Sequence, residues 1–96
     1  MARADRRYTE GLMARLQRTV PNTEGRVWHL EQGSQTYGRM WRVSERDTTT
    51  GGLYHDIARG VSESALQDNL GAFLDGYDAA QREYEQHGMR YDGSIR

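Results

Sequence analysis

A single α+β domain with the element order α-β-β-β-α is predicted by three features of the chain. Two segments carry apolar residues at helical spacing, one near each end. Between them lie three short stretches rich in β-branched and aromatic residues, separated by Gly- and Thr-rich turns. The expected architecture is a three-stranded antiparallel sheet with both helices packed on one face. At 96 residues there is room for one domain and one modest core.

The first helix starts at Asp5, whose side chain can cap it, and carries Tyr8, Leu12, Met13 and Leu16 as its apolar stripe. Pro21 followed by Asn22 stops it near Thr19 or Val20. Gly11 weakens its middle by about 1 kcal/mol relative to Ala, so this helix depends on docking. Residues 26–32 read as the first strand, Gly33 to Thr36 as a four-residue turn, and Tyr37 to Arg46 as the second strand. That turn length sets Trp28 opposite Trp41 and His29 opposite Met40. Asp47 to Gly52 form a second loop in which glycine supplies positive φ, and Leu53 to Ala58 form the third strand.

Ser62 caps the last helix, and Glu63 sits in its first turn, where the helix dipole favours an anion. Leu66, Leu70, Phe73, Leu74, Tyr77, Ala80 and Tyr84 then trace one face of it, and Gly88 ends it. The domain is expected to span residues 1–88, followed by a loose tail over 89–96.

Charge is distributed unevenly. The chain has thirteen arginines and no lysine, a preference that a GC-rich genome explains through its codons. Residues 1–46 hold nine Arg against five Asp and Glu, a balance of +4; residues 47–96 hold four against nine, a balance of −5. Such a split points to a partner surface, or to self-association as a homodimer, rather than to bulk attraction for polyanions. With no cysteine there is no disulfide, thiolate metal site or cysteine nucleophile. The N-terminus lacks the apolar stretch of a signal peptide and no apolar run is long enough to span a bilayer, so a cytoplasmic protein without membrane contact is expected.

Each candidate site has a plainer account beside it. His29, His55 and His87 lack the paired spacing of a metal site, and neither a metal nor a cofactor is expected. His55 and Asp56 could act as an acid–base pair, but strand neighbours point to opposite faces, so both enter one cleft only across a bulge. No catalytic residue is assigned and no enzyme is expected. Trp28 and Trp41 could stack bases, but in a chain with one Phe two tryptophans on one sheet face are more often the core itself.

The preferred binding surface is the sheet face that the helices leave open. If Trp28, Leu30, Tyr37, Trp41 and Val43 face the helices, then Val27, His29, Met40, Arg42 and Tyr54 face away, an interface-like mixture of apolar, Met and Arg side chains. The alternative is a nucleic-acid contact through Arg6, Arg7, Arg15 and Arg18 of the first helix.

The α-β-β-β-α order over residues 5–87 is similar to that of double-stranded-RNA-binding domains. Those domains open their last helix with a lysine cluster, whereas this one opens Ser62-Glu63-Ser64-Ala65-Leu66, which disfavours that mode of RNA binding. The run Leu30 to Val43, with the helical stripe from Leu66 to Tyr77, resembles small orphan proteins encoded by phages of GC-rich actinobacteria. Most such proteins have no assigned activity and some bind and redirect a host protein, so the resemblance implies an accessory role of that class in the host cytoplasm. It implies no active residue.

Overall fold

The computed structural model describes residues 5–34 and 40–86. In chain order these form α1 (Arg6–Thr19), β1 (Arg26–Ser34), β2 (Met40–Asp47), β3 (Leu53–Gly60) and α2 (Glu63–Gln86). The strands make one antiparallel sheet in the order β1-β2-β3. The expected fold class and element order are those observed. The expected end of the last helix at Gly88, and the start of the second strand at Tyr37, lie outside the described residues.

The caps follow the sequence. Asp5 accepts a hydrogen bond from the Arg7 amide at 2.9 Å, and Ser62 Oγ accepts one from the Ala65 amide at 3.1 Å. Each satisfies a helix amide that has no intrahelical partner. Between β2 and β3, Asp47 Oδ1 accepts from the amides of Thr49 and Thr50, and Gly51 takes a φ of 78°. Asp47 is held below the ordinary carboxylate range, principally by those two amides.

The core lies between the helices and one sheet face. Leu12 and Leu16 of α1 meet Leu66, Leu70 and Leu74 of α2 above Trp28, Val43 and Ala58. Full burial of a leucine stabilises the fold by about 1.5–3 kcal/mol, and four of these five are completely buried. Trp28 also donates its indole N–H to the Val20 carbonyl at 3.0 Å, which ties the end of α1 to the sheet. At Gly60 the chain passes so close to α2 that a Cβ would collide with the Ala65 and Leu66 backbone.

Two parts of the expected core differ. Thr9, not Tyr8, completes the buried stripe of α1: Thr9 is 1% exposed and Tyr8 56%. Both positions have helical spacing to Leu12 and Leu16, and polar partners on α2 select the threonine. Ala80 is exposed and Tyr84 half-buried rather than core. The 24 residues of α2 span about 36 Å and the 14 of α1 about 21 Å, so the last turns of α2 run past the end of α1.

The hairpin register also differs. Trp28 pairs with Glu45, His29 with Ser44 and Leu30 with Val43, while Trp41 pairs with Gly60 of β3. Strand β1 continues through Gly33 and Ser34, and Ser34 pairs with Met40, so the expected turn does not begin at Gly33. The slip is four residues, two complete side-chain periods. It therefore leaves the described residues of β1 and β2 on their expected faces.

Candidate functional site

The two helices hold each other through the charges that divide the sequence. Arg6 Nε bonds Glu63 Oε2 at 2.8 Å, and Arg15 Nη2 bonds Asp78 at 2.6 Å and Asp75 at 3.1 Å. The Thr9 hydroxyl donates to Glu63 and accepts from Gln67 Nε2 at 2.8 Å; the same amide reaches the Asp5 carbonyl at 3.0 Å. Burial disfavours the Glu63 anion, but the bonds from Arg6 and Thr9 outweigh it and hold its pKa down. Arg15 is raised further by Asp78, then Asp75. Of the four arginines considered for nucleic acid, Arg6 and Arg15 are thus bonded to carboxylates, Arg7 lies 3.7 Å from Asp5, and Arg18 is exposed.

A second buried knot ties the connection before β1 to the sheet. Glu45 accepts from the Thr23 amide at 2.7 Å, from Asn22 and the Thr23 hydroxyl at 3.1 Å each, and from Arg26 at 3.4 Å. Burial pushes the Glu45 pKa up, yet these donors together leave it lowered. The Arg26 guanidinium lies 4.0 Å from the centre of the Tyr54 ring. Tyr54 pairs with Glu45, which pairs with Trp28, so this ring belongs to the helix-side row of the sheet. It is not on the open face, where the sequence alternation had suggested it.

The open face carries the other four expected residues. Across one end run Val27, Arg46 and Leu53, paired in that order; Val27 is 39% and Leu53 36% exposed. His29 follows, half-buried and paired with Ser44. At the far end Arg42 is clamped rather than free, 3.2 Å from Glu31 and 3.3 Å from Asp56, with Met40 half-buried beyond it. Arg59, paired across the strands with Arg42, forms an ion pair with Asp56, its Nε 3.4 Å from the carboxylate.

Strand β3 is irregular where it crosses this face. Between the pairs Val43–Ala58 and Glu45–Tyr54, β2 advances two residues and β3 four. His55 sits in this bulge at a φ of 56°, a left-handed backbone that costs a non-glycine residue about 1–2 kcal/mol. The bulge overrides the alternation that would separate His55 from Asp56. Both line one shallow pocket of 510 Å³, together with Arg42, Leu53 and Arg59. Its size falls within the usual range for ligand sites.

Sequence reasoning makes a shared His55–Asp56 cleft conditional on a bulge, and no glycine or asparagine marks the left-handed position where that bulge forms. The same reasoning missed the Glu45 and Thr9 knots, whose partners lie about 20 and 55 residues away. Among the described residues no cluster of His, Asp and Glu is arranged to hold a metal, and no helix is long and apolar enough to cross a membrane. Comparison of the sequence and structure with protein families, curated proteins and solved structures yields no match.

Proposed function

We propose that this chain is a non-enzymatic interaction domain that binds an acidic surface of another protein through its open sheet face. In the setting implied by the resemblance to phage orphan proteins, that partner is a host protein met in the host cytoplasm. The observation that carries the reading is the make-up of the uncovered face. Both helices lie on the other side, and among the described residues the open side combines exposed Val27 and Leu53 with Arg42, Arg46 and Arg59 against Glu31 and Asp56. An excess of arginine beside apolar groups favours a partner bearing both carboxylates and apolar side chains.

The arginines of α1 support a nucleic-acid contact less well. Arg6 and Arg15 must leave Glu63, Asp75 and Asp78 before they reach a phosphate, and those carboxylates repel the same polyanion. Their pairing within one chain also accounts for the +4/−5 split without a second copy.

Affinity capture from an actinobacterial lysate tests the proposal when variants are compared on one identified protein. Leu53→Glu and Arg46→Glu should each lose that protein while retaining the wild-type melting curve. Arg7→Glu and Arg18→Glu on α1 should keep it. Loss with the α1 variants and retention with the open-face variants would reject the proposal. Nucleic acid recovered in place of protein, with a steep salt dependence, would reject it as well.

A further inference from the structure

We propose that the pocket at the β3 bulge is a receptor for a side-chain carboxylate on an extended, apolar segment of the partner. This inference rests on the reading of the open face as a protein-binding surface and specifies what that surface recognises.

The small extent of the face favours a segment over a folded domain. Three strands about 4.8 Å apart and about 25 Å long present roughly 350 Å² in projection. Stable interfaces between folded proteins bury about 800 Å² on each partner. A face this small matches a few residues of extended chain. Its apolar end, Val27 and Leu53, lies beside its charged end, with Leu53 lining the pocket itself. An acidic residue next to an aliphatic one would contact both.

The donors select a carboxylate. Arg59 faces Asp56 through Nε in an ion pair at 3.4 Å, and its two terminal nitrogens make no bond to any described residue; the side chain is 65% exposed at the pocket edge. Those nitrogens form the planar fork that matches a carboxylate. His55 stands on the same rim, turned there by its left-handed backbone. Asp56 plays the opposite part. Its carboxylate, 18% exposed, already lies against Arg42 and Arg59, so it pre-orients both guanidinium groups and competes with an incoming anion. Strain retained at a non-glycine residue beside a charged pocket is the pattern found at ligand sites. The structural alternative is that the bulge only blunts an edge strand; it leaves the position of Arg59 over the pocket unused.

Amide NMR of the full chain tests this with three probes: acetyl-Leu-Glu-Leu-Glu-amide, its Leu-Gln-Leu-Gln counterpart, and inorganic phosphate. The Glu peptide should shift amides over residues 53–59 and of Arg42 in a saturable way. The Gln peptide should bind about tenfold more weakly, the loss expected for one charge-assisted hydrogen bond. Arg59→Gln should reduce Glu-peptide affinity by a similar factor with the amide spectrum otherwise intact, and Asp56→Asn should raise it by relieving the competition. Equal shifts from both peptides would overturn the carboxylate inference while leaving the open-face reading in place. Phosphate acting as strongly as the Glu peptide at the same residues would overturn it in favour of a general anion site. Shifts confined to α1 and α2 would overturn both the inference and the reading beneath it.

Discussion

The two faces of the sheet are built from the same strands and do opposite things with their side chains. On the helix side, Trp28, Val43 and Ala58 are closed over by five leucines, and the buried Glu45 carboxylate is bonded on both oxygens. On the open side Arg42 is held between Glu31 and Asp56, and Val27, Arg46 and Leu53 reach solvent. One face therefore carries the stability. The other leaves side chains to spare.

Substitutions on the two faces should separate accordingly, and the largest effect belongs to the helix side. Leu70→Asp places an unpaired charge in a fully buried site and should cost about 5 kcal/mol or more. Domains of this size have about 5–15 kcal/mol in total, so soluble, cooperatively melting protein should be lost. A melt near that of wild type would remove the leucine layer from its role. Gly60→Ala should follow at roughly 3 kcal/mol, because the methyl meets backbone and not a movable side chain. Denaturant midpoints measure it.

The Glu45 knot should come next. Glu45→Gln leaves Arg26 without its charged partner and should cost about 3 kcal/mol by chemical denaturation. Its pH dependence has a definite sign. Glu45, Glu63 and Asp47 all have lowered folded pKa values, so their stabilisation is present above the ordinary carboxylate values of 4.5 and 3.8. It is lost as pH falls from there through the folded values, because the unfolded chain takes up protons first. Glu45→Gln should flatten this acid limb in part. A limb unchanged by the substitution would assign the acid sensitivity to Glu63 and Asp47 alone. The smallest effect belongs to the open face, where Leu53→Glu should change stability by no more than about 0.5 kcal/mol.

Helix existence was legible because Leu12 and Leu16, and Leu66, Leu70 and Leu74, repeat at the helical period beside Asp5 and Ser62 caps. The placement of Val27, His29, Met40 and Arg42 opposite Trp28 and Val43 was legible from alternation alone, and it survived a wrong register because the slip was even. Hairpin register was not legible, since Gly33 and Gly38 both signal a reversal and alternation cannot choose between them. Tyr54 was misplaced and the His55–Asp56 cleft left conditional for one reason. A bulge built on histidine shifts the alternation midway along β3 with no residue type to announce it. Arg6 with Glu63 and Arg15 with Asp78 required the helix crossing, which composition does not contain.

The division of labour between the faces is tested most directly by amide hydrogen exchange on the chain alone and bound to the protein it captures. The account predicts that binding slows exchange over residues 53–59 of β3 and 26–31 of β1, with the outward surface of α1 and the far turns of α2 unchanged. Protection confined to α1 or α2, with β3 exchanging as in the free chain, would contradict it.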